Sequence, residues 1–160
     1  MRSGVRIAVD VGSVRVGVAA SDPSGVLASP VTVLARDRKA DGDVRQIAAI
    51  VAEREAIEVL VGWPRSLSGA EGRAAQIARD YAGRVAAAVA PVPVRLVDER
   101  LSTVEAAGRL RSSGRDARAA RPVIDAQAAV IVLESALEGE RHGGQPAGEP
   151  IPASTSSPAR

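Results

Sequence analysis

Cysteine is absent from the 160 residues, and with it go disulfides, thiolate metal sites and thiol nucleophiles. That absence fits a reducing cytoplasm, the expected location. The single histidine, His142, falls in a Gly- and Pro-rich stretch that reads as a tail, which argues against histidine acid–base catalysis. The single lysine, Lys39, has no GxxxxGK[ST] context, so a P-loop is excluded. Phenylalanine is missing, and Trp63 and Tyr81 are the only other large aromatics. Val, Ile, Leu and Ala must therefore fill any core, a composition suited to strands covered by helices. No apolar run approaches the ~20 residues of a membrane span. The opening Met1-Arg2-Ser3-Gly4-Val5 lacks the apolar region of a secretion signal.

Carboxylates, arginines and hydroxyls remain, an inventory that suits hard-metal chemistry on phosphates better than acyl transfer. With 46% hydrophobic residues the chain can bury one core. Its net charge is only +2, yet the pI is about 9.9 because the basic group is almost wholly arginine. Arginine favours bidentate phosphate contacts. A GC-rich coding bias accounts for the same preference, so arginine content alone says little about nucleic acid.

Hydrophobic periodicity orders the chain. Residues 5–11 read as an apolar, β-branched strand. Val14, Val16 and Val18 alternate with smaller or polar residues as a second strand, and Asp22-Pro23-Ser24-Gly25 signals a type I turn into a third over 25–34. Such short links demand an antiparallel meander. The period then lengthens, predicting a helix over 43–54 and a short strand over 57–61, broken by Gly62-Trp63-Pro64. A capping box at Ser68–Glu71 predicts a helix to about Val89, followed by a strand over 94–97. Ser102-Thr103-Val104-Glu105 opens a further helix to about Leu110; residues 112–121 read as a polar, arginine-bearing loop. Pro122 fits the first turn of a last, buried helix to about Glu138. The expected organisation is one α/β domain over 1–139, a mixed five-stranded sheet with helices on both faces, and a disordered tail over 140–160.

Three acids stand at element ends. Asp10 closes a strand that reads as buried, where an uncompensated charge costs several kcal/mol. Glu99 follows the strand over 94–97, and Asp125 lies early in the last helix, where the dipole favours an anion. Taken singly they also read as a turn acid, a solvated loop and a helix-start charge. Taken jointly, they form the cluster that phosphodiester cleavage needs, since two divalent ions about 3.5–4 Å apart activate water and stabilise the leaving oxygen. Arg15 and Arg100 suit a phosphate, or equally a solvent-facing or carboxylate-paired role. Arg115, Arg118 and Arg121 face a single acid, Asp116, and suit a phosphate-gripping arm that orders on binding. Trp63, beside Gly62 and Pro64, reads as packing before base stacking.

The chain also resembles a known family. Asp10-Val11-Gly12-Ser13-Val14-Arg15-Val16-Gly17-Val18-Ala19 is similar to the opening motif of the YqgF (RuvX) proteins. Val61-Gly62-Trp63-Pro64 with Ser68-Gly69-Ala70-Glu71-Gly72 resembles a second block, and Asp98-Glu99-Arg100-Leu101-Ser102-Thr103 a third. Val123-Ile124-Asp125-Ala126-Gln127-Ala128-Ala129 is the fourth, so the likeness runs in order over residues 5–137. It implies a ribonuclease H-like fold and maturation of the 5′ end of the small-subunit (16S) rRNA precursor, or resolution of four-way DNA junctions. It also implies that Asp10, Glu99 and Asp125 bind Mg²⁺ or Mn²⁺ and that an activated water attacks phosphorus in line. The partners that follow are nucleic acid, pre-rRNA ahead of branched DNA, and the ribosomal small subunit, with no membrane. The loop after Pro64 and the basic loop before the last helix depart from the family pattern, which bears on substrate preference.

Two other classes compete. Actin-like and sugar-kinase ATPases share the Asp-x-Gly opening but close two such domains on the nucleotide, and this chain has room for one. A non-catalytic RNA-binding assembly factor would retain affinity without cleavage. A Rossmann enzyme is disfavoured, because no Gly-x-Gly-x-x-Gly follows the first strand.

Overall fold

Six strands form a single mixed sheet in the computed structural model, which describes residues 1–64, 72–99 and 117–152, with backbone alone over 117–125. In chain order the elements are β1 (Arg6–Val11), β2 (Arg15–Ser21), β3 (Ala28–Ala35), α1 (Gly42–Glu53), β4 (Glu58–Trp63), α2 (Arg73–Val89), β5 (Val94–Asp98), α3 (Ala117–Gly143) and β6 (Glu149–Pro150). The sheet order is β3-β2-β1-β4-β5-β6. β1, β2 and β3 make the expected antiparallel meander, and β1, β4 and β5 run parallel to one another. The fold is the ribonuclease H-like α/β arrangement, with one strand more than the five expected.

Alternation along the strands divides the core in two. Ile7, Val9, Val16, Val18, Val59, Val61, Val94 and Leu96 face α1 and α2. Ala8, Ala19, Leu60 and Val97 face α3, which contributes Ala129, Val130, Val132, Leu133, Ala136 and Leu137. Small strand residues on that side let a single long helix lie close to the sheet.

Several boundaries differ from the sequence reading. β4 continues through Gly62 and Trp63, because parallel pairing with β5 carries on to Trp63 opposite Asp98. α2 begins at Arg73 behind Gly72, later than the capping box implied; residues 65–71 lie outside the described residues. α3 starts at Ala117, so Arg118 and Arg121 belong to a helix and not to the expected loop. Ala117, Arg118, Ala119, Ala120 and Arg121 are all strong helix formers, and their propensity extends the helix upstream of Pro122. The expected helix over 102–110 lies outside the described residues.

The largest correction concerns residues 140–152. α3 runs to Gly143, and β6 then pairs antiparallel with β5, Arg95 opposite Pro150. Ile151 N–H donates to the Val94 carbonyl at 2.9 Å, and Arg95 donates to the carbonyls of Ala147 and Gly148 at 2.7 and 2.6 Å. Gly and Pro in this stretch serve turns and an edge strand. Pro30 has a similar place on the opposite edge: it sits in β3, beside a register shift between Val18 and Ala19.

Glu140, assigned to the tail from sequence, anchors the helix end. Its carboxylate accepts from Arg2 Nε at 2.7 Å and from the fully buried Arg6 at 2.9 Å, and Arg2 also reaches Glu58 at 2.9 Å. Burial pushes the Glu140 carboxyl up, but the hydrogen bonds from Arg2 and the Arg6 and Arg2 charges outweigh it and hold it at about 2. A depressed carboxyl stabilises the fold above its unfolded value near 4.5 and loses that contribution as pH falls toward about 2. Glu58 acts in the opposite sense, since burial, only partly offset by Arg2, raises it. Denaturant melts between pH 5 and 2.5 are therefore expected to show wild type losing stability more steeply than Glu140→Gln. Parallel slopes would refute the assignment.

Candidate active site

The carboxyl ends of β1, β4 and β5 lie side by side, as their parallel registers require, and two of the three expected acids sit there. Asp10 is the fifth residue of β1, half-buried, and pairs across the sheet with Gly17 of β2. Ala8 faces α3, so alternation puts Asp10 on the α3 face as well. In the parallel register with β4, Val9 stands opposite Val61, and Asp10 and Gly62 follow at the next position of each strand. Glu99 comes directly after β5 and is half-buried. Its carboxylate reaches back over β4: a Cβ built on Gly62 would lie 2.5 Å from Glu99 Oε1 and 3.1 Å from Val132 Cγ2 of α3. Glycine at 62 thus leaves the space that the Glu99 carboxylate occupies, next to the position of Asp10.

Asp125 lies in α3, seven residues before Val132. Two helical turns, roughly 10 Å, separate them, and that spacing returns to the same helix face. Its side chain is outside the described residues. Among the described residues no group of three His, Asp or Glu side chains is gathered closely enough to hold a metal. Asp10 and Glu99 share one end and one face of the sheet, on the side covered by the helix that carries Asp125.

Of the expected phosphate-binding arginines, Arg15 opens β2, two residues before Gly17, and alternation puts it on the Asp10 face. Arg100 and Arg115 lie outside the described residues; Arg118 and Arg121 are placed by backbone only. Trp63 is 5% exposed and packs in the core, with the Arg79 guanidinium 4.7 Å from its ring centre.

The link between β1 and β2 is held from outside. Gly12 N–H donates to the Arg15 carbonyl at 2.8 Å, closing the turn. A Cβ on Gly12 would lie 2.7 Å from that same carbonyl oxygen, which explains glycine there. Arg36 donates to the Gly12 carbonyl at 2.9 Å, and Arg38 to the Ser13 carbonyl at 3.1 Å. Arg36 is held in turn by Asp43, 3.8 Å away, and by the Tyr81 ring, 5.1 Å from its guanidinium. Tyr81 donates to Asp43 at 2.9 Å; burial, and then the Asp43 carboxylate, push its phenol well above the ordinary range. Sequence reading passed over Gly62, Arg36 and Arg38. Gly62 looked like a strand breaker, and Arg36-Asp37-Arg38-Lys39 looked like a charged boundary.

The fold has counterparts among solved structures. Thermus thermophilus RuvC superposes with a TM-score of 0.58 at 19% identity when bound to a Holliday junction, over 92% of this chain and 99% of that one. A second structure of T. thermophilus RuvC gives 0.50 at 17% identity over the same shares. The family model described as "RuvX: Holliday junction resolvase" matches residues 4–139, and the chain belongs to the RuvX family. Among its relatives, a Thermobifida fusca protein is 54% identical, covering 93% of this chain and 96% of its own length. One from Clavibacter michiganensis is 49% identical over 100% and 99%. One from Frankia casuarinae is 56% identical over 89% and 70%. All three carry the description "Putative pre-16S rRNA nuclease".

Proposed function

We propose that the chain is a metal-dependent nuclease that matures the 5′ end of the small-subunit rRNA precursor in the cytoplasm. The observation that carries this reading is the placement of Glu99 over the glycine of β4 beside Asp10. The descriptions of the three relatives support it and supply the substrate. No described helix is long and apolar enough to cross a membrane. Junction resolution is the second reading, favoured by the description of the family model.

The donor set fits a divalent cation. Carboxylate oxygens are hard ligands suited to Mg²⁺ or Mn²⁺, and Gly62 leaves the Glu99 carboxylate its place. Asp10, Glu99 and Asp125 would hold the ion. When bound, it supplies Lewis-acid stabilisation of phosphoryl oxygens and lowers the pKa of water. The chain's own part is positioning. The strand ends fix Asp10 and Glu99, Arg15 would engage a phosphate, and Arg100, Arg115, Arg118 and Arg121 would grip flanking backbone.

A 5′-extended rRNA precursor fragment and a four-way DNA junction, each incubated with Mg²⁺, Mn²⁺ or EDTA, provide the test. Metal-dependent cutting of the RNA is expected. Cutting of the junction alone transfers the activity to branched DNA, and cutting of neither overturns the nuclease reading.

A further inference from the structure

Charge is distributed unequally on the two sides of the carboxylate site. Toward β5 and β6 a groove over Val97 and Ile131 is lined by Asp98, Glu134, Glu138 and His142, with Glu138 paired to Arg141 at 3.0 Å and to His142. Toward β2 and β3 the segment after β3 wraps the β1–β2 turn. Arg36 N–H donates to the Val14 carbonyl at 2.8 Å, and Arg38 caps Ser13. The acids of this segment already have partners. Asp37 accepts the backbone N–H groups of Lys39, Ala40 and Gly42 at 3.2, 3.0 and 3.1 Å. Asp41 pairs with Arg84 at 2.6 Å, and Asp43 is buried against Tyr81. Arg38 and Lys39 are left exposed, and among the described residues neither is in an ion pair. Val14, 63% exposed, stands at the turn between them and Asp10.

We propose that Arg38 and Lys39 form a phosphate-backbone contact surface, so that a nucleic-acid strand leaves the carboxylate site across the β1–β2 turn toward β3. This rests on the nuclease reading above and adds a path to it. The groove on the opposite side offers phosphates carboxylates in place of exposed cations, and Arg38 is tied by its Ser13 contact three residues from Asp10. Exposed Val14 offers an apolar surface to the sugar or base passing over the turn.

Binding of fluorescein-labelled 20-mers, single-stranded RNA and duplex DNA, followed by anisotropy from 50 to 300 mM KCl, tests it. Arg38→Ala/Lys39→Ala should weaken binding about tenfold at low salt and reduce the log–log salt slope by about 1.4 for RNA or 1.8 for duplex. Lys39→Glu, whose side chain is exposed, should shift affinity the same way without touching the Ser13 contact. Glu134→Gln/Glu138→Gln should bind no more weakly than wild type. The arm that responds, RNA or DNA, identifies the source of the phosphates. Unchanged affinity and slope in both Arg38→Ala/Lys39→Ala and Lys39→Glu, with wild type binding normally, overturns the path alone. Failure of wild type to bind either probe overturns the nuclease reading and the path together.

Discussion

Asp10→Asn should reduce metal-dependent cleavage about a thousandfold or more while leaving the fold in place. Losing an outer partner of a metal ligand costs about 10–100-fold, and removing a ligand's charge costs more. The change is nearly isosteric, and it takes one carboxylate charge from the sheet end where Asp10 of β1 and Glu99 after β5 flank β4. Stability without metal should therefore stay within about 1 kcal/mol of wild type. A second readout separates metal binding from chemistry. Millimolar Mn²⁺ should raise the wild-type Tm, as any ligand of the native state does, and should leave the Tm of Asp10→Asn unmoved. Full activity in the variant would remove Asp10 from the site.

Gly62→Ala should cost activity out of proportion to stability. The new methyl group would lie 2.5 Å from Glu99 Oε1, a distance no real contact tolerates, and 3.1 Å from Val132 Cγ2. Glu99 is the far end of a flexible side chain and moves first, carrying its carboxylate away from β1. Val132, buried at 1% exposure, yields only by tenths of an ångström. Overpacking of about 1–3 kcal/mol is partly offset by the entropy glycine loses on folding. Cleavage should fall about a hundredfold, since misplacement of about 1 Å has that effect. Gly83→Ala is the control. It lies inside α2 with nothing within 4 Å of the added carbon. That substitution should stabilise by roughly 0.5–1 kcal/mol and leave activity alone. Equal activity in Gly62→Ala and wild type would show that Glu99 is not required where it stands.

Strand alternation and turn chemistry made the meander readable, because Val16 and Val18 announce their face and Asp22-Pro23-Ser24-Gly25 announces its turn. Gly25 N–H does donate to the Asp22 carbonyl at 3.1 Å. The parallel half followed from apolar runs separated by helical periods. Tertiary pairing then set what local signals could not. Gly62 reads as a breaker, but neighbouring strands on both sides keep it in the sheet. Glu140 reads as a tail charge, and only its approach to Arg2 and Arg6, 138 and 134 residues earlier in the chain, gives it partners. The site was legible as residue types at strand ends. Its supports were not, since the hold of Arg36 on Gly12 depends on two helices, α1 and α2, packing Asp43 and Tyr81 beneath it.

Both margins of the sheet end in a proline-bearing strand, Pro30 in β3 and Pro150 in β6. Proline has no N–H to offer, and the shift beside Pro30 disturbs the ladder further. A second copy of the chain therefore finds no uninterrupted row of donors to extend at either side. The edges of the described sheet resist the edge-to-edge stacking that leads from strands to fibrils.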